Sequence, residues 1–170
     1  MAVMQPLEMP DSHYLLAALG WYELGDRAEA KAELQQIRPE YHRHPDVLEM
    51  KWLLCAAEAD WVGGLEAARS LVETAPQRSS GWLHQAYALR RVKGGGLKEA
   101  MACLLPAAEK FPKEPVIPFN LSCYACQMGE FEQARVWLEL AVQVGGKEQI
   151  KEMALADTDL APLWDEIRKF

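Results

Sequence analysis

The residues with the most chemical potential in this chain are two thiols, Cys123 and Cys126, in Cys123-Tyr124-Ala125-Cys126. At i and i+3 they share one face of a helix, which suits thiol–disulfide exchange or half of a zinc site. A zinc site needs two further ligands, and Cys55 and Cys103 stand alone, far off in sequence. Filling a helical interface is the plainer use of two small apolar thiols. His42-Arg43-His44 offers two imidazoles, but beside Pro45 and away from any carboxylate pair it reads as a solvated turn. Gly94-Gly95-Gly96 is followed by Leu97-Lys98-Glu99 and lacks the Lys-Ser/Thr pair of a phosphate cradle. His13 opens a helix and His84 lies within one; neither completes a Ser-His-Asp or Cys-His constellation. The expectation is a protein without catalytic residues, cofactor or metal.

Composition narrows the class further. The chain has 170 residues, half of them hydrophobic, enough for a sizeable core. Ala, Leu and Glu are plentiful and β-branched residues sparse, so the chain reads as all-α. A formal net charge of −7 disfavours nucleic acid and anionic lipid, which need clustered Lys and Arg. No basic-then-apolar stretch of the secretory kind opens the sequence, and no apolar run approaches the ~18 residues that span a bilayer. Peripheral membrane contact stays open. With four cysteines in no framework spacing, reduced thiols and a cytoplasmic location are expected.

The elements follow from periodicity and breakers. Met1 to Pro10 carries two prolines and no period, and reads as an irregular lead-in. Asp11 or Ser12 is placed to cap a first helix running to about Leu24. A second runs from Asp26 with Ala30, Leu34 and Ile37 inward, stopping early before the Pro39–His44 connection. Pro45 opens the third, with Leu48, Trp52, Cys55 and Ala56 as its apolar face. The fourth runs from Trp61 to Pro76; Gly63-Gly64 within it, unfavourable by roughly 1 kcal/mol per Gly, implies a neighbouring helix so close that a side chain at Gly64 would block it. The fifth spans Ser80 to about Val92. Leu97 to Lys110 is the sixth, with Pro106 removing one hydrogen bond. Asn120 to Met128 belongs to a seventh, whose start Pro115 and Pro118 bracket, and Phe131 to Val144 is the eighth. Lys147 to Ala156 and Leu160 to Lys169 complete the set, joined by a capping Asp157-Thr158-Asp159.

Gly129-Glu130-Phe131-Glu132-Gln133-Ala134 sets the pattern of the whole: a turn at Gly, then a small residue five places on. Gly25 to Ala30 repeats it, Gly95 to Ala100 repeats it, and Ala59 to Gly64 is a looser copy. The small anchors Ala30, Gly64, Ala100 and Ala134 are 34, 36 and 34 residues apart. Tyr14 with Trp82, Ala18 with Ala86, and Leu34, Leu104 and Leu138 fill matching columns, while Pro76 and Pro112 end hairpins. Over about residues 11–146 the chain resembles the tetratricopeptide repeat (TPR) family, whose period is about 34 residues. That resemblance implies an α-solenoid of four hairpins, at about 11–44, 45–78, 79–114 and 115–146, with residues 147–170 as a two-helix C-terminal cap. The cap would cover the last hairpin with Ile150, Met153, Leu160, Leu163, Trp164 and Ile167.

In TPR proteins the first helix of each hairpin lines a concave groove that holds a partner protein or peptide. Carried onto this sequence, the groove is lined by Leu15, Leu19 and Tyr22, then Glu49 and Leu53, then His84, Tyr87, Arg90 and Arg91, then Asn120, Cys123 and Gln127. Asn120 matches a carboxylate-clamp position, but Phe119 stands where the clamp needs Lys, and the first two hairpins offer it no basic residue. Arg90 and Arg91 instead suit an acidic segment, with Tyr87 as a flat apolar contact. The implied function is a non-enzymatic adaptor or scaffold, monomeric or weakly homodimeric. His44-Pro45-Asp46-Val47 is also similar to the junction between kinesin light chain repeats, which implies an alternative: a cytoskeletal accessory protein on a tubulin-like filament.

Overall fold

The structure, a computed structural model, describes residues 6–169, which form ten α-helices and two 3₁₀ segments, with no strand among the described residues. The chain divides into two compact units whose boundary falls between Ala88 and Leu89.

The first unit opens with a hairpin of α1 (Asp11–Glu23) and α2 (Arg27–Gln36). A 3₁₀ turn at Pro39–Tyr41 leads to a second hairpin, α3 (Pro45–Ala57) and α4 (Trp61–Thr74), and then to α5 (Ser79–Leu89). Each hairpin closes by local chemistry. Gly25 takes the left-handed conformation at φ +85°, and Asp26 caps α2 by accepting the Glu29 amide at 3.1 Å. The second turn does the same with Ala59 at φ 57°, and Asp60 accepts the Gly63 amide at 3.0 Å. Alanine in that conformation costs about 1–2 kcal/mol relative to glycine, which is why this copy of the turn is hard to see in the sequence.

Asp11 does not cap α1. Its carboxylate is fully buried and accepts the Arg38 amide and Nε, both at 2.8 Å, with Arg38 Nη2 at 2.6 Å. A side chain at the first turn thus ties the start of α1 to the exit of α2. The Arg38 hydrogen bonds hold this carboxyl below its ordinary range against the opposing effect of burial.

The core of the unit holds Ala18, Ala30, Leu34, Ile37, Val47, Met50 and Leu54. Leu48 turns away from it to pack with Leu71 and Ala75 at the far end of α4, its partner in the same hairpin. So α3 buries two faces, and the single stripe of Leu48, Trp52, Cys55 and Ala56 is corrected: Val47, Leu48, Met50 and Leu54 are buried, while Trp52, Cys55 and Ala56 are half-exposed. Gly64 is also corrected. A Cβ there would lie 3.6 Å from Cys55 Cβ and 3.8 Å from the Trp52 ring, ordinary contact distances. Gly81 in α5 is tight against the next helix back: a Cβ there would meet Leu71 Cγ at 3.1 Å and the Val72 amide nitrogen at 3.3 Å.

The second unit contains α6 (Leu97–Lys110), α7 (Val116–Gln127), α8 (Phe131–Gly145) and α9 (Lys147–Ala156). Its centre is α7, which buries every residue from Ile117 to Cys126 except Asn120. A helix apolar on all sides is enclosed on all sides; here α6, α8 and the C-terminal 3₁₀ segment surround it. Ser122, the one polar side chain in that run, donates to the Ala134 carbonyl of α8 at 2.7 Å. Gly129, at φ +79°, turns α7 into α8.

The tail departs from the expected Leu160–Lys169 helix. Thr158–Leu163 is 3₁₀ and only Trp164–Ile167, α10, is α-helical. Pro162 explains this, since it has no N–H for an α-type bond and its ring crowds the preceding turn. Ile150, Leu160, Leu163 and Ile167 are buried, and Met153 and Trp164 are half-buried. The fifth helix ends at Leu89, short of Val92, because the chain bends back to give the Gly96 amide to the Leu89 carbonyl at 3.0 Å.

Candidate functional site

In the first unit, four of the groove residues come together. Leu15 and Leu19 on α1 and Glu49 and Leu53 on α3 line an open cleft of about 560 Å³ with Leu7, Leu16 and Met50. Helical spacing produces the cleft: Leu15, Leu16 and Leu19 occupy adjacent turns of α1, and Glu49, Met50 and Leu53 do so on α3. The walls are apolar and the rim carries Ser12, Asp46 and Glu49. Leu16 is 68% exposed and Leu19 38%, so large apolar area meets water here. Tyr22 packs against the core instead of lining the cleft.

Beyond Glu49 the surface becomes polar and aromatic. Glu49 accepts the Ser80 hydroxyl at one oxygen and meets His84 Nε2 at 2.7 Å with the other. The His84 ring lies flat on Trp52, centroids 3.6 Å apart and 11° from parallel. Tyr87 stands edge-on to Trp52 at 6.0 Å, with Trp61 at 5.8 Å on another side. Burial pushes the Glu49 carboxyl up, but hydrogen bonds from His84 and Ser80 outweigh it and hold the group below the usual range. Glu49 is therefore anionic near neutral pH, and Asp46 beside it is paired with Arg78 at 2.6 Å.

In the second unit the groove residues are already engaged. Arg90 grips both oxygens of Asp159, with Nη2 to Oδ1 at 2.9 Å, and stacks over the Tyr124 ring at 5.8 Å. Gln127 donates to the Asp159 carbonyl at 3.1 Å, and the buried Cys123 thiol faces Asp157 at 3.8 Å. Asn120 turns back to the Val116 carbonyl at 2.8 Å, and Arg91 is half-buried. Sequence reasoning missed Asp157 and Asp159 as occupants of this surface, for they read as a helix cap. Asp157 does cap, accepting the Asp159 amide at 2.9 Å.

The sulfur of Cys123 and oxygens of Asp157 and Asp159 lie within 4.8 Å of one another, a possible cation-ligating group. Both Asp159 oxygens are taken by the Arg90 guanidinium, which supplies the positive charge that a cation would. Burial, with Asp157 and Asp159 adding to it, pushes the Cys123 thiol far above its ordinary value, and Cys126 is raised for similar reasons. Such thiols are protonated and poorly nucleophilic.

No family model and no curated protein matches the chain. Solved structures do. The crystal structure of TTC0263, a thermophilic TPR protein in Thermus thermophilus, superposes with a TM-score of 0.71 at 19% identity, over 92% of this chain and 82% of that one. The crystal structure of MamA gives 0.68 at 13% identity, over 97% and 91%. A second MamA structure, from MSR-1, gives 0.64 at 15% identity, over 95% and 97%. The chain has the tetratricopeptide-repeat fold, an all-α solenoid class. No helix among the described residues is long and apolar enough to cross a membrane.

Proposed function

We propose that the chain is a non-enzymatic adaptor that binds a partner protein through its groove face, with the cleft between α1 and α3 as the anchoring site. The observation that carries this reading is the cleft itself: about 560 Å³ walled by Leu15, Leu16, Leu19, Met50 and Leu53. Pockets of that size bind by taking apolar groups out of water, with a few polar groups to orient them. An apolar side chain or short amphipathic helix from a partner fits such a site, and the anionic rim at Glu49 favours a basic residue beside it. The TPR fold supports a protein ligand, since stacked hairpins present extended surfaces of this kind.

Affinity capture from the native cell tests the reading, comparing wild type with Leu53→Glu and Leu19→Glu. Partners retained by wild type should be lost from both variants while far-UV circular dichroism stays unchanged. Capture of the same proteins by all three chains would overturn it. The alternative, an accessory protein on a tubulin-like filament, could use Arg90 as a contact only by displacing Asp159 from it. Salt-sensitive co-sedimentation with such a polymer would put it in place of the cleft.

A further inference from the structure

The second unit carries an occupied binding site. We propose that Arg90, Cys123 and Gln127 form a receptor for an acidic peptide segment, and that residues 157–160 fill it in cis until a partner segment of the same chemistry displaces them. This site is separate from the α1–α3 cleft, and the inference stands or falls independently of it.

The contacts are those of peptide recognition. Arg90 holds the Asp159 carboxylate in a two-pronged pair, the most specific way a side chain reads a carboxylate. Gln127 reads the backbone of the same residue through its carbonyl. Leu160, next in line, is fully buried as an apolar anchor. All three receptor side chains belong to the positions that the repeat pattern assigns to the groove face, and the ligand comes from 69 residues away in sequence. The segment does not continue α9 but forms a short 3₁₀ turn, with the Leu160 amide donating to the Asp157 carbonyl at 3.2 Å, and side-chain contacts tie that turn to α7. The Arg90 and Asp159 side chains keep 22% and 19% of their surface exposed, which leaves water and a competing carboxylate a route to the pair.

The test uses a fluorescent peptide of residues 155–164 and the full-length chain. Asp159→Asn removes the carboxylate that Arg90 grips, so the internal segment competes less. The peptide should bind this variant about tenfold or more tightly than wild type, in line with the release of an occupied site. Adding Arg90→Ala to that variant should abolish binding. Equal affinity for wild type and Asp159→Asn overturns the proposal, as does binding indifferent to Arg90. A variant that no longer folds also overturns it, because a displaceable segment is not required by the fold. Hydrogen exchange on the wild-type chain gives a reading independent of any variant. The Asp159 and Leu160 amides should exchange at least about a hundredfold faster than those of Leu121–Cys126, and saturating peptide should speed them further. Exchange of both sets at one common rate would show a fixed cap, and the proposal would fail.

Discussion

Replacing Gly64 by alanine should stabilise the protein, and replacing Gly81 by alanine should destabilise it. Both glycines are buried in helices, and both substitutions gain helix propensity, up to about 1 kcal/mol in a helix interior. The surroundings decide the sign. At Gly64 the new methyl would sit 3.6 Å from Cys55 Cβ and 3.8 Å from Trp52 Cδ1 and Nε1, distances that add attraction without displacement. The Trp52 Nε1 proton has no partner, so the methyl takes no hydrogen bond from it. The net expectation is about 1 kcal/mol of stabilisation, or roughly 2–4 °C in Tm for a chain of this size. At Gly81 the methyl would meet Leu71 Cγ at 3.1 Å, Val72 Cγ2 at 3.2 Å and the Val72 backbone nitrogen at 3.3 Å. A backbone atom has no rotamer to escape into, so α4 and α5 must shift. Overpacking of this kind costs about 1–3 kcal/mol, more than the smaller propensity gain in a first turn, and a fall of about 1 kcal/mol is expected. Thermal unfolding followed at 222 nm reads both signs. A lower Tm for Gly64→Ala together with an unchanged or higher one for Gly81→Ala would refute the reasoning, since it would exchange the tight and the roomy site.

Ala59→Gly should raise stability by about 1 kcal/mol, by removing the steric penalty of the left-handed turn between α3 and α4; a lower urea midpoint would count against it. Ser122→Ala should cost about 1 kcal/mol in a urea titration, near the lower end for a buried bond, because the Ala134 carbonyl keeps its place in the helical ladder. The Asp11 carboxyl is held below its ordinary 3.8, so its contribution is present above that pH and lost as pH falls through the lower folded value. The Tm gap between wild type and Asp11→Asn should therefore close on acidification, and a constant gap would sink the assignment. In native protein a thiol reagent should label the half-exposed Cys55 and Cys103 well before the buried Cys123 and Cys126, as mass spectrometry of the adducts would show; early labelling of Cys123 would contradict its burial.

Local chemistry was readable in the sequence; contacts across long separations were not. The anchors Ala30, Ala100 and Ala134 are fully buried, as their phase with the turns implied, and Gly25 and Gly129 hold left-handed conformations where a helix has to stop. Asp11 was misassigned because an acidic residue at a helix start looks the same whether it caps that helix or reaches Arg38, 27 residues on. In α3 the binary pattern merged two buried faces into one stripe, since a helix between two layers no longer shows a clean period. At the C-terminal end, Pro162 was the available signal for a 3₁₀ segment, and its weight was lost beside the apolar spacing of Leu160, Leu163 and Ile167. Of the groove positions, Leu15, Leu19, Glu49 and Leu53 do share one cleft. Nothing in the sequence marked Arg90 as already spoken for by Asp159.

The enclosure of α7 has a consequence for engineering. Repeat arrays are attractive to designers because another hairpin can be spliced in and the stack simply grows. A hairpin inserted at Gly146 would part the tail from the Cys123 and Gln127 face of α7 that Asp157 and Asp159 now occupy, so the array should not lengthen there by simple stacking. Added hairpins belong between whole repeats, as ahead of α5, where no helix pair is split.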